Sequence, residues 1–103
     1  MDKESALRLT KDYLVKVRKN NIDFSEAWLF GSFAIGNNHE NSDIDLAIVF
    51  SKSKTSFDTE VKLMTLRTGE ETLIEPHPFD KEDFVIESPV VFQILKNGIR
   101  INV

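Results

Sequence analysis

The sequence has no cysteine. That absence excludes disulfides, thiolate metal sites and cysteine nucleophiles together, and leaves carboxylates and two imidazoles as the side chains able to hold a metal ion. Hard cations suit such a donor set. Basic residues are also in short supply, with 13 Lys and Arg against 17 Asp and Glu and a formal net charge of -4. Non-specific binding to nucleic acid needs a surplus of Lys and Arg for phosphate contacts, so this balance argues against it, while a nucleotide held through a metal ion stays open. Long apolar runs are missing as well: stretches such as Leu46 to Phe50 fall far short of the ~20 residues that cross a bilayer. The opening MDKESALRL is polar and shows no cleavable apolar region. These features read as a cytoplasmic protein with no membrane partner. At 103 residues, 41% hydrophobic and 29% charged, the chain reads as one globular domain over 1–103, without repeats or low-complexity tracts.

Apolar spacing predicts a helix from Lys3 to Asn20, with Ala6, Leu7, Leu14 and Val17 in one stripe, Leu9 and Tyr13 beside it, and Asp2 or Ser5 placed to cap it. Ala27 to Phe30 reads as a short strand buried on both faces, ended by Gly31-Ser32; Phe33 to Gly36 reads as a turn of helix and the residues to Asn41 as a polar loop. From Asp43 to Phe50 the period changes to two, which predicts a strand. Thr55-x-x-Asp58 reads as a helix-starting box, followed by Phe57, Val61 and Met64 flanked by Leu63 and Leu66, with Gly69 ending that helix. Thr72 to Glu75 reads as a strand that Pro76 and Pro78 terminate. Asp80 is placed to cap a short helical piece, Ser88-Pro89 starts a further helix, Gly98 ends it, and Ile99 to Val103 supplies a last strand. The order predicts an α/β or α+β sheet with helices packed on it.

The chemistry concentrates between Gly31 and Asp45. Positions i and i+2 on a strand lie about 6.5 to 7 Å apart and point the same way, so the carboxylates of Asp43 and Asp45 can converge on one ion. Mg²⁺ suits this arrangement, because it takes few carboxylates and completes its shell with water and phosphate oxygens. An isolated D-x-D is better read as a turn cap at Asp43 and a lysine pair at Asp45. Gly31-Ser32 alters the balance. A strand that stops at Gly-Ser and turns into a helix offers free backbone amides and a hydroxyl, with no β-carbon to hold off a phosphate. Phosphoryl or nucleotidyl transfer needs both pieces: an oriented triphosphate and neutralised charge.

Gly31-Ser32, ten residues, then Asp43-Ile44-Asp45 resembles the G-S-x10-D-x-D signature of the polymerase-beta-type nucleotidyltransferase superfamily, with Ser42-Asp43-Ile44-Asp45-Leu46 as it commonly appears there. The short chain resembles the minimal nucleotidyltransferase group, often encoded beside a helical HEPN protein. The resemblance implies the polymerase-beta-like fold, a small mixed sheet flanked by helices. It implies a Mg²⁺-dependent enzyme holding two ions and using ATP or another nucleoside triphosphate, with Gly31, Ser32 and Ser42 at the nucleotide. It implies three acidic ligands, Asp43, Asp45 and a third on a later strand, for which Glu75 in LIEPHP is the choice. The expected reaction moves a nucleoside monophosphate, AMP from ATP, to a hydroxyl on a HEPN toxin and so makes this chain the antitoxin. A binding module that neutralises a partner without catalysis, or a small-molecule transferase, are the alternatives, and a second copy of the chain is another candidate partner. Relatives often carry a basic residue where this chain has Ile35, a departure that removes a phosphate contact. His77 is placed to position a nucleotide or acceptor, or else is a packed or exposed loop residue. His39 reads as facing water, Glu70 and Glu71 as solvent-facing, Trp28, Phe30 and Phe57 as core, and Lys62, Arg67 and Arg100 as solvated.

Overall fold

The structure is a computed structural model that describes residues 1–51 and 56–103. Helix α1 spans Lys3–Lys19 and is capped by Asp2, whose carboxylate accepts from the Ser5 amide at 2.8 Å. Lys16, Arg18 and Lys19 crowd its last turn, where the helix dipole favours positive charge. There follow strand β1 (Glu26–Phe30), the single turn α2 (Ser32–Ile35), strand β2 (Ile44–Phe50) and helix α3 (Phe57–Thr65). A 3-10 turn at Gly69–Leu73 leads to β3 (Ile74–Asp80), a second at Lys81–Asp83 follows, and α4 (Pro89–Asn97) and β4 (Ile99–Ile101) close the chain.

The four strands form one mixed sheet in the order β3-β2-β1-β4. β1 is antiparallel to β2 and β4, while β2 and β3 run parallel. Alternation along the strands sends Ala27, Leu29, Ile44, Leu46, Ile48, Ile74 and Ile101 to one face. There they form a single core with Ala6, Tyr13, Leu14 and Val17 of α1 and Leu63 of α3. The Tyr13 hydroxyl donates to the Leu63 carbonyl and joins the two helices. Burial pushes the Tyr13 phenol well above its ordinary range, with Arg67 opposing the shift and Glu71 adding to it. On the other face α4 packs against β1. Gly98 closes this helix, and there is no room for a side chain on it: a β-carbon would lie 2.4 Å from the Ile94 carbonyl and 3.1 Å from that of Leu29.

Several local expectations are corrected by tertiary context. β1 is fully buried on one face only, at Ala27 and Leu29, while Trp28 and Phe30 are half-buried. β3 does not stop at Pro76 but runs through both prolines to Asp80. β3 is an edge strand whose pairing with β2 continues unbroken across 76 and 78. The two prolines, two residues apart, therefore turn their missing N–H groups to the open side, where a sheet edge tolerates them. Thr55 lies outside the described residues, and Ser56 caps α3 by accepting from the Thr59 amide at 3.1 Å. α3 ends at Thr65, and Gly69, at φ +58°, opens the following turn. Asp80 ends β3 and makes no side-chain cap to the turn after it.

Glu71 is buried, not solvent-facing. Its carboxylate accepts from the Thr68 amide in a capping box and pairs with Lys16 of α1, whose ammonium also donates to the Leu66 carbonyl. Burial alone would raise the Glu71 carboxyl, but the hydrogen bonds from Lys16 and Thr68 outweigh it and hold the group below its ordinary value. Arg67 is structural: its guanidinium donates to the carbonyls of Met64, Thr72 and Ile74 and so pins the start of β3. Phe57, Val61 and Met64 are exposed, Phe57 to 76%, and Leu63 alone of α3 is buried. No helix among the described residues is long and apolar enough to cross a membrane.

Candidate active site

The site grows from the ends of β1, β2 and β3. β1 stops at Phe30, and Gly31 then takes φ +75°, a left-handed value that favours glycine, before α2 begins at Ser32. The Ala34 and Ile35 amides turn back onto the Gly31 carbonyl at 3.1 and 3.4 Å. The first two amides of α2, those of Ser32 and Phe33, have no acceptor within the helix. Pairing sets Phe30 of β1 beside Asp45 of β2, and Asp45 beside Glu75 of β3. Three neighbouring strands thus place the Gly31 corner and two carboxylates in one row.

Asp45 is half-buried and touches that corner: a β-carbon on residue 31 would sit 2.2 Å from its Oδ2. Its other oxygen, Oδ1, lies 3.2 Å from Nε2 of His77. His77 stands two residues after Glu75 on the same face of β3, opposite the small Ala47. The Phe30 ring meets the imidazole edge-on, with centroids 5.1 Å apart and planes at 62°. Asp45, Glu75 and His77 each present a ligand atom, all within 4.8 Å of one another. The lysine partner considered for Asp45 is not what the described residues show, because the side chain that meets its carboxylate is His77.

Asp43 is exposed at the mouth of β2 and stands outside this tight group. It lines the adjoining open cleft with Ser32, Asn37, His39, Asn41, Ser42 and Asp45. Ser42 is buried there; its hydroxyl accepts from the His39 amide at 2.8 Å and its own amide donates to the His39 carbonyl at 3.0 Å, which closes the loop before β2. None of the cleft's lining residues is Lys or Arg. A phosphate entering beside two carboxylates therefore requires a cation to offset their repulsion.

Of the residues singled out from sequence, Gly31, Asp45 and Glu75 are drawn together by the sheet, while Ser32, Ser42 and Asp43 line the cleft next to them. His77 is the residue that sequence reasoning undervalued. Its signal lay in Glu75-Pro76-His77-Pro78: a residue before proline is driven to extended backbone, and alternation then puts 75 and 77 on one face.

A family model described as polymerase beta, nucleotidyltransferase, matches residues 12–102. No curated protein matches the sequence significantly. Among solved structures, a protein of Sulfolobus solfataricus described as a candidate nucleotidyltransferase is 22% identical at a TM-score of 0.67, over 95% of this chain and 80% of that one. A toxin-antitoxin crystallised with AMP-PNP is 22% identical at 0.62, over 89% and 72%. A mutant of the toxin-antitoxin MntA-HpeT, with two aspartates two positions apart changed to glutamate, is 18% identical at 0.57, over 99% and 73%.

Proposed function

Because the chain belongs to the polymerase beta nucleotidyltransferase family, we propose that it transfers AMP from ATP to a hydroxyl of a partner protein and serves as the antitoxin of that partner. The observation that carries this reading is the parallel register that sets Asp45 beside Glu75, with the Gly31 corner against Asp45. The residues fit a divalent cation: two carboxylates and an imidazole nitrogen within 4.8 Å, with no Lys or Arg among the residues of the adjoining cleft. Asp45 and Glu75 would hold the cations with Asp43, and Mg²⁺ bound there supplies charge neutralisation for the triphosphate and a lower pKa for the attacking hydroxyl.

The chain's own groups do the rest. The Gly31 corner and the first amides of α2 receive the terminal phosphates, with the Asp45 carboxylate and the cation it would hold at their side. Ser32 and Ser42 offer hydroxyls along the cleft. A carboxylate of the cluster takes the proton of the acceptor hydroxyl, whose oxygen then bonds to the α-phosphorus while the bond to pyrophosphate breaks. Ile35, 59% exposed, adds no charge to this cradle.

The neighbour that holds AMP-PNP supports an adenine nucleotide, and both toxin-antitoxin neighbours support a protein partner, for which a HEPN-type toxin encoded beside this chain is the candidate. In the MntA-HpeT mutant the two altered aspartates have the spacing of Asp43 and Asp45, which supports these two as the working pair. The test incubates the protein with labelled ATP, Mg²⁺ and the product of the adjacent gene. Label should pass to the partner with wild type and not with Asp43→Asn plus Asp45→Asn; equal labelling by both overturns the proposal. The exposed side chains of Phe57, Ile86 and Ile35 favour one further reading, that the chain masks its partner by binding alone. In that case the doubly substituted protein still protects cells.

A further inference from the structure

The transfer chemistry above gives no role to the imidazole of His77, which stands within the acidic cluster. We propose that His77 Nε2 is a metal ligand, giving one ion a nitrogen donor beside Asp45 and Glu75 and raising the site's affinity for transition-series divalent cations relative to Mg²⁺. The proposal rests on the metal-dependent reading above and adds to it the identity of a ligand and a cation preference.

Distance is the first argument. Two donors side by side on an ion at about 2.1 Å each lie roughly 3 Å apart. His77 Nε2 and Asp45 Oδ1 stand at 3.2 Å, and Glu75 completes a set within 4.8 Å, so small side-chain adjustments bring the three onto one cation. Backbone is the second. Glu75 and His77 each precede a proline, which holds both in extended conformation and both on one face of β3, and the start of this strand is pinned by Arg67 on the Ile74 carbonyl at 2.9 Å. Packing is the third. The Phe30 ring fixes the plane of the imidazole, and the small Ala47 opposite leaves it space on the sheet face.

The cation preference follows from the donor. Carboxylates alone suit Mg²⁺, whereas an imidazole nitrogen binds Co²⁺, Ni²⁺, Fe²⁺ and Zn²⁺ far better than it binds Mg²⁺. The competing imidazole is His39, which lines the neighbouring cleft.

Co²⁺ serves as the probe, at one fixed pH, with proton NMR to detect the shifted, exchangeable ring N–H of a cobalt-bound histidine. Wild type should show one such resonance, His77→Gln should lose it and His39→Gln should keep it. By calorimetry His77→Gln should weaken Co²⁺ binding about tenfold or more and change Mg²⁺ binding by less than about twofold. A wild-type protein that takes up Co²⁺ without the resonance, a resonance that survives in His77→Gln, or one lost in His39→Gln, overturns the inference and leaves the carboxylate site standing. Because the chain has two histidines, the wild-type and His39→Gln spectra decide the point even if His77→Gln does not fold. Uptake of neither Co²⁺ nor Mg²⁺ by wild type, with AMP-PNP present, overturns the reading of the site itself.

Discussion

The Asp45 carboxylate occupies the space into which a side chain on residue 31 would project, with Oδ2 2.2 Å from the position of a β-carbon there. The glycine of the Gly-Ser corner is thus required twice, once by its φ of +75° and once by the acid beside it. Gly31→Ala should displace Asp45, lower stability by about 1 to 3 kcal/mol and abolish metal uptake. Urea unfolding and calorimetry with Mg²⁺ check the two effects separately.

The exposed Asp43 and the half-buried Asp45 predict different secondary effects of the same chemical change. Asp43→Asn and Asp45→Asn should each lower transfer by on the order of 10²-fold or more, since both remove charge that positions the triphosphate. Stability should stay within about 0.5 kcal/mol of wild type for Asp43→Asn, because the residue faces solvent. Initial rates of label transfer beside thermal melts test this. Full transfer by Asp43→Asn would remove it from the site.

Lys16 and Glu71 make a mostly buried pair between α1 and the turn before β3, with side-chain exposures of 32% and 9%. The folded-state carboxyl of Glu71 is held below its ordinary value. Its contribution to stability is therefore complete above the ordinary glutamate range and is lost as pH falls through the lower folded-state value. Glu71→Gln should cost about 1 to 3 kcal/mol at neutral pH and flatten the acid limb of the stability profile. Denaturant unfolding across the acid range shows whether the two proteins converge there.

Leu63 and Phe57 lie on the same helix with opposite fates. Leu63→Ala opens a cavity in the core and should cost about 2 to 5 kcal/mol, whereas Phe57→Ser, at a side chain 76% exposed, should change stability by less than about 0.5 kcal/mol. Unfolding midpoints decide this, and the reverse order would place the core on the other side of α3.

Much of the site was legible because its parts are local. Gly31-Ser32 and the D-x-D of β2 carry their chemistry in a short span, and the change to a period of two at Asp43 exposes the strand. Glu75 was chosen for the third acid that the resemblance implied, as the lone carboxylate in a short apolar stretch, and the register sets it beside Asp45. What escaped notice depends on residues far apart in sequence. Lys16 meets Glu71 because α1 packs beside the turn before β3, and nothing within either segment marks the other. His77 reaches Asp45 because β3 runs parallel to β2, a pairing written in no single segment. Helical spacing correctly made Phe57, Val61 and Met64 one stripe, yet it cannot say which way the helix turns, and Leu63 faces the core instead. The prolines of β3 read as stops because a central strand would reject them. Their tolerance was decided by the place of β3 at the sheet's edge.

Those prolines also govern who can approach that edge. An incoming peptide that tried to add itself as a fifth strand would find acceptors but no donors at 76 and 78, so the ladder would fail beside the acidic cluster. The flank nearest the chemistry is in this way ill-suited to backbone pairing, and a partner bound under the proposed transfer would have to meet the site through side chains.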